Sequence, residues 1–241
     1  EVLKASPLGQ SVYAATGCGH PVAGSRLSFV LGLQGPCATY DTACSATLVA
    51  CHGALRALQL HECSDGLVAG ASLMLVPGPS ALVAAAGMTS PRGRCHTFDA
   101  RADGYARAEA CVSVALRSTS EGASVSLLGI AVRCDGRSAS LTAPNGQAQQ
   151  GLLRAALADA GVDPASLSRM EAHGTGTALG DPIEAGSLAG AVLSLRAVHS
   201  SLALPVGSVK ANSGHAEPAA GISGLLVLAC GLAQAQAAPN A

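Results

Sequence analysis

Short apolar runs bounded by glycine alternate along this chain with longer stretches whose apolar residues recur at i, i+3 and i+4. Runs of the first kind suit strands buried on both faces and stretches of the second suit amphipathic helices, so the alternation predicts an α/β fold. In order, the pattern predicts a β-rich run at 27–30 and 37–40, then a helix carrying Ala46, Leu48, Val49, Leu55 and Leu58, then a buried strand at 66–75. A loop at 77–107, punctuated by Pro79, Pro91 and Gly104, leads to an alternating strand at 111–116. The polar run 118–122 is the best internal boundary, and 125–133 opens a second set of elements. There Leu152, Leu153, Ala156 and Leu157 mark a helix ended by Gly161. A strand at 170–172, a helix at 183–195, a strand at 205–209 and a last helix opened by Pro218 complete it.

Composition narrows the function classes. A net charge of -1 and 2% aromatic residues supply neither a basic surface nor a stacking platform, which argues against nucleic acid as a partner. The nine cysteines show no C-x-x-C pair and no regular Cys/His ligand spacing, so a zinc site is not expected. Their odd number, with no secretory signal ahead of them, suits a reducing, intracellular setting. The apolar stretch 219–233 is broken by Gly221, Ser223, Gly224 and Gly231 and is shorter than the roughly 20 residues of a bilayer span, so it reads as a buried helix. The chain starts at Glu1 and ends in an alanine-rich segment, so both ends are expected to be cut from a larger domain. Its 49% hydrophobic content is enough for one large core or part of a larger one.

Three residues carry candidate chemistry. Cys44 lies in Thr39-Tyr40-Asp41-Thr42-Ala43-Cys44-Ser45-Ala46, at a predicted strand-to-helix corner. The unpaired amides and positive dipole end of a helix favour a thiolate there, which predicts a thiol pKa below its free value. His173, in Glu171-Ala172-His173-Gly174-Thr175-Gly176-Thr177, and His215, in Lys210-Ala211-Asn212-Ser213-Gly214-His215, each follow a short strand on a glycine loop. Strand-end loops of an open sheet gather at one pocket, so the two histidines are expected to converge. His20, His52, His61, His96 and His199 lack that context and read as surface or satisfied structural histidines. Gly174, Gly176 and Gly180 also come close to a dinucleotide-binding loop, but the acidic residue expected about 20 positions on is missing from 191–195.

The chain resembles the central part of a β-ketoacyl synthase domain of the modular polyketide synthase type. The resemblance rests on Gly35-Pro36 with Asp41 to Ser45, Ser90-Pro91 with Gly93-Arg94-Cys95 and Thr97-Phe98-Asp99, and Asp103-Gly104-Tyr105. It continues through Leu141 to Gly146, Glu171 to Thr177 with Gly180 to Ala185, and Gly207 to Lys210 with Asn212, Gly214 and His215. It implies a thiolase-like fold of α-β-α-β-α layers in two similar halves, with the N-terminal part and the C-terminal end lying outside the chain. Residues 1–118 would be the remainder of the first half and 119–241 the second.

The implied activity is a decarboxylative condensation of an acyl group held on Cys44 with a malonyl-type thioester. Cys44, His173, His215 and Lys210 are implied as the catalytic set, with Glu184 and Asp181 holding the lysine region. Thr175 and Thr177 match residues that hydrogen-bond the phosphopantetheine arm. No metal or directly bound cofactor is implied, and the partners would be acyl carrier protein, a second copy of the chain and other polyketide synthase domains. A non-elongating module that only passes acyl carrier proteins, and a thiolase acting on coenzyme A, are the alternatives. Two departures from the family pattern stand out: Ala108-Glu109-Ala110 replaces Gly-Glu-Gly, and Ser213 replaces an apolar residue.

Overall fold

The structure is a computed structural model and describes residues 11–119, 121–123, 125–199 and 203–234. Helices α1 (Ala14–Cys18) and α2 (His20–Leu31) lead the chain. Pro21 stands in the first turn of α2, where its missing N–H would have had no partner, and Gly32 closes the helix at φ 66 with its amide donating to Ser28 O. The run at 27–30 is therefore helical rather than β, and 37–40 joins no ladder among the described residues.

A single 3-10 turn at Ala43–Ser45 feeds α3 (Ala46–Gln59). The helix expected from the apolar spacing is present, and the residues it buries are Ala46, Thr47, Cys51, Ala57 and Leu58. Strand β1 (Asp65–Ser72) pairs antiparallel with β2 (Ala110–Arg117), in register from Asp65 opposite Arg117 to Ser72 opposite Ala110. The strand expected at 66–75 thus ends early. Part of the expected loop at 77–107 is helix α4 (Pro77–Ala85), whose proline again occupies the first turn.

The second half begins differently from its expected pattern. Residues 125–133 form no regular element, although Leu127 and Ile130 pack on the first core and Ile130 N donates to Asp159 Oδ2 at 2.9 Å. The boundary expected at 118–122 includes residue 120, which lies outside the described residues. Helix α5 (Gly146–Ala160) is capped by the Asn145 side chain, which accepts from Gln147 N and Ala148 N, and ends at Gly161 with φ 62. Strand β3 (Met170–Glu171) runs parallel to β4 (Val206–Gly207). Between them, α6 (Gly180–Leu188), a π-helical turn (Ala189–Leu193) and α7 (Ser194–His199) make up the helix expected at 183–195; the His199 side chain lies outside the described residues. Helix α8 (Lys210–Ser213) and a 3-10 turn (Glu217–Ala219) precede α9 (Ala220–Gln234).

Two cores result. Cys51 of α3, Val68 of β1 and Ile222 of α9 form the first, and Leu188, Ala191 and Val192 form the second beneath Leu153, Leu157, Met170 and Val206. Burying each large aliphatic side chain contributes about 1.5–3 kcal/mol. The segment Glu217–Gln234 spans 18 helical residues of mean hydropathy 1.3, long and apolar enough by length and composition to cross a membrane, and 22% of it is buried. The expected buried helix is buried only in part: Ala220, Ile222 and Gly224 of α9 are buried in the protein, and the rest of its described residues are not.

Candidate active site

Cys44 sits in the middle of the 3-10 turn, directly after Ala43, whose φ of 52 places a non-glycine residue in the left-handed region. Such a conformation is sustained only when the surroundings over-determine it. Here Ser45 N and Oγ both reach Thr42 O, at 3.3 and 2.9 Å. The sharp turn leaves the thiol half-buried at the head of α3.

His173 follows β3 on a loop pinned by two carboxylates of α6. Glu184 accepts from His173 N at 2.6 Å and from Gly174 N at 2.8 Å. Buried Asp181 accepts from Gly176 N and Thr177 N at 3.1 and 3.2 Å and from Phe98 N at 2.8 Å. Both acids were expected to hold the lysine region; their hydrogen bonds go to the amides of the histidine loop and of Phe98, and the Glu184 charge also acts on Lys210. The same bonds remove the dinucleotide alternative, because the loop amides that would cradle a pyrophosphate are already taken. Gly176 has φ 77, and a β-carbon there would lie 2.6 Å from His96 N, so backbone packs where a side chain would stand. Buried Thr175 and its neighbour Thr177 bring their hydroxyls to 3.4 Å, and Thr177 Oγ1 accepts from Gly180 N.

His215 is held from two sides. Its N–H donates to Ala106 O at 2.7 Å and its carbonyl accepts from Ala108 N at 2.9 Å, so residues 106–108 run alongside it as a parallel bridge. Glu217 N donates to His215 Nδ1 at 3.2 Å. A neutral imidazole with an accepting Nδ1 carries its proton on Nε2. Tyr105 meets the ring edge-on at 5.1 Å.

The three elements converge. The Cys44 thiol and one ring nitrogen each from His173 and His215 lie within 4.8 Å of one another, and the two rings stand 5.5 Å apart at 89°. That spacing would suit one soft metal ion, but a proton on His215 Nε2 makes that nitrogen a donor rather than a ligand. Lys210, on α8, is buried, and burial pushes its pKa down while Glu171 and Glu184 push it back up. Burial pushes the Cys44 thiol up, with its own backbone hydrogen bond and the Lys210 charge opposing. The expected depression at a helix start is therefore reversed by desolvation.

Burial first, and the Lys210 charge second, lower His173 to about 4. The same causes, with His173 itself added, lower His215 to about 3. The His173 side chain still meets solvent, and both causes push in one direction. Both rings are thus neutral at pH 7. A histidine whose pKa falls on folding binds fewer protons folded than unfolded, so stability is full above 6.5 and is lost as pH drops toward the folded value. We expect the urea midpoint to fall between pH 7 and pH 4.5, and to fall less in His215→Gln; equal slopes in the two proteins would contradict this assignment.

The comparisons agree with this geometry. Residues 2–122 match the family model "Beta-ketoacyl synthase, N-terminal domain", and residues 124–241 match "Beta-ketoacyl synthase, C-terminal domain". The chain belongs to the β-ketoacyl synthase family. This β-ketoacyl synthase chain is 46% identical over 226 residues to one of the phenolphthiocerol/phthiocerol polyketide synthase proteins of Mycobacterium tuberculosis, covering 91% of the chain and 10% of that protein. It is 42% identical over 245 residues to a second protein of the same synthase and organism, covering 99% of the chain and 16% of that protein. The chain thus spans under a fifth of the length of these curated relatives.

Among solved structures it is similar to the oxazolomycin ketosynthase domain OzmH KS7 of Streptomyces albus JA3453, at TM-score 0.85 and 33% identity, with 92% of this chain and 40% of the other covered. It is also similar to the module 6 ketosynthase of the bacillaene synthase from Bacillus subtilis 168, at TM-score 0.85 and 33% identity, with 91% of this chain and 40% of the other covered. The synthase therefore has the thiolase-like α/β fold that the resemblance implied.

Several residues of this synthase site carried no sequence signal. Glu171, read as part of a strand and of a matching stretch but given no role, accepts from Val209 N at 2.5 Å and is the carboxylate acting most strongly on Lys210. His96 is neither at the surface nor satisfied, since it is half-buried with its Nε2 lacking a partner. Of the two departures, Ala108 packs its methyl toward Gly214 while its amide pairs with His215, and Ser213 Oγ donates to Val209 O at 3.1 Å. Both stay clear of the three converging side chains.

Proposed function

We propose that this chain carries out the decarboxylative Claisen condensation that extends a polyketide or fatty acyl chain. The observation that carries the reading is the approach of one thiol and two neutral imidazoles within 4.8 Å. The Cys44 thiol gives up its proton as its sulfur attacks an acyl thioester on acyl carrier protein; the carrier's acyl–sulfur bond breaks, the acyl group passes to Cys44, and the departing phosphopantetheine sulfur takes up that proton to leave as the thiol. Backbone amides stabilise the tetrahedral oxyanion. A malonyl-type thioester then enters, with Thr175 and Thr177 supplying hydroxyls for its pantetheine arm. His173 and His215 donate N–H bonds to the thioester carbonyl, so that the electron pair released as carbon dioxide departs is held as an enolate. The enolate carbon attacks the acyl carbonyl and Cys44 leaves as thiolate, giving a β-ketoacyl thioester two carbons longer. Burial first, and the neighbouring Lys210 second, hold both imidazoles neutral.

The similarity to polyketide synthase proteins supports acyl carrier protein and neighbouring polyketide synthase domains as partners, with the chain acting as a homodimer. No metal or redox group enters a step. The halves divide at 118/119, one bringing the nucleophile and the other both histidines. An intracellular setting is supported by the free state of every cysteine whose side chain is described.

The test is intact-protein mass spectrometry after adding an acyl carrier protein thioester and then a malonyl carrier thioester. The expected result is an adduct on Cys44 that disappears as a β-ketoacyl product forms. An adduct that persists without extension would overturn condensation in favour of a module that only passes carriers.

A further inference from the structure

Arg107 and Glu217 have no part in the steps above, yet they form the best-made ion pair among the described residues. Arg107 Nε donates to Glu217 Oε1 and Nη2 to Oε2, both at 2.7 Å, while Nη1 donates to Ser80 Oγ at 2.5 Å. The side chains are only 13% and 23% exposed, so water competes weakly for this planar fork. Glu217 also has φ 42, in the left-handed region that a residue with a β-carbon resists. Something must hold it there, and the two-toothed pair is placed to do so. That strained residue is also the one whose amide donates to His215 Nδ1 at 3.2 Å. On the other flank, the backbone on either side of Arg107 pairs with the backbone of His215. Arg107 therefore reaches His215 twice, through its own strand and through Glu217, and Ser80 ties the guanidinium to α4.

We propose that Arg107 and Glu217 are a positioning pair that fixes His215 in the Nε2–H tautomer. The inference rests on the reading above, in which His215 donates that proton to the thioester carbonyl. If the Glu217 amide swings away, Nδ1 loses its donor and the ring is free to carry its proton there, which removes one of the two donors that meet the enolate. Neither Arg107 nor Glu217 touches substrate. Their loss should therefore spare attack by Cys44 and impair the decarboxylation that follows.

The experiment uses Arg107→Met, Glu217→Gln and the double variant in the natural full-length polypeptide, with three readouts: acylation of Cys44, carbon dioxide release from a malonyl carrier thioester, and imidazole 15N shifts of His215. Acylation should not fall in Glu217→Gln or the double variant, since the Glu217 charge lost there opposes the Cys44 thiolate. Carbon dioxide release should fall about 10²-fold in each single variant, the cost of a misplaced catalytic group. The double variant should fall no further, because both changes break one contact. The 15N spectrum should show proton density moving onto Nδ1. Glu217→Gly, which adopts the same φ without the pair, should keep more of its carbon dioxide release than Glu217→Gln.

Carbon dioxide release no better in Glu217→Gly than in Glu217→Gln, multiplying effects in the double variant, an unchanged tautomer, or acylation falling in step with decarboxylation would each overturn the pair. A wild-type protein that takes up acyl groups but never decarboxylates, while its His215 spectrum still responds to the variants, would instead overturn the condensation reading and leave the pair standing.

Discussion

Replacing Cys44 with alanine is expected to lower acyl transfer by at least about 10³-fold, the scale of loss seen when a covalent nucleophile is removed. Among the described residues there is no substitute thiol of equal standing. Cys95, the other cysteine whose pKa responds to Lys210, is buried, donates to Ala106 O at 3.7 Å and accepts from Ala106 N at 3.2 Å. Decarboxylation needs only the two imidazole donors, so a malonyl carrier thioester should still release carbon dioxide in Cys44→Ala. Measuring adduct mass and carbon dioxide release on the same sample checks both halves. A Cys44→Ala protein that still became acylated would remove Cys44 from the mechanism.

His173→Ala should show the opposite pattern. Cys44 should still take up acyl groups, because attack on a thioester needs the thiolate and the backbone amides. Carbon dioxide release should drop about 10²–10³-fold, the cost of removing one donor from a developing oxyanion. The local fold should survive, since the loop is held through backbone groups: Glu184 binds the amides of His173 and Gly174, and Thr97 Oγ1 donates to Gly174 O. A rapid-quench measurement of loading and decarboxylation separates the steps. Full condensation by His173→Ala would sink the two-donor mechanism.

How much of this could be read from the chain alone depended on the range of the interaction involved. Helix α3 was legible because its start and its apolar spacing lie in one window, and so were the glycine loops that bear His173 and His215. Helices α2 and α4 were missed although Pro21 with Gly32, and Pro77, mark helix starts and stops in the sequence; β-branched and aromatic residues at 27–30 and several prolines at 77–107 suggested otherwise. The direction of the Cys44 shift was not legible at all. The helix-start effect is local, whereas the desolvation that outweighs it comes from elements brought in from far along the chain. The amides that Glu184 and Asp181 bind were not legible for a related reason, since sequence order says which acids are near but not which amides face them. Nothing in the sequence announced that Glu217 would adopt φ 42.

The contacts that close the site also set when it can exist. His215 N reaches back to Ala106 O, and Ile222 N, 175 residues on, donates to Thr47 Oγ1 three positions after the nucleophile. At a synthesis rate of about 5–20 residues per second, roughly 10–35 s separate the emergence of Cys44's helix from that of the α9 residue that docks on it. During that interval the thiol sits on a nascent chain with neither imidazole beside it. The three side chains therefore come together late, after the ribosome has delivered His173, His215 and α9.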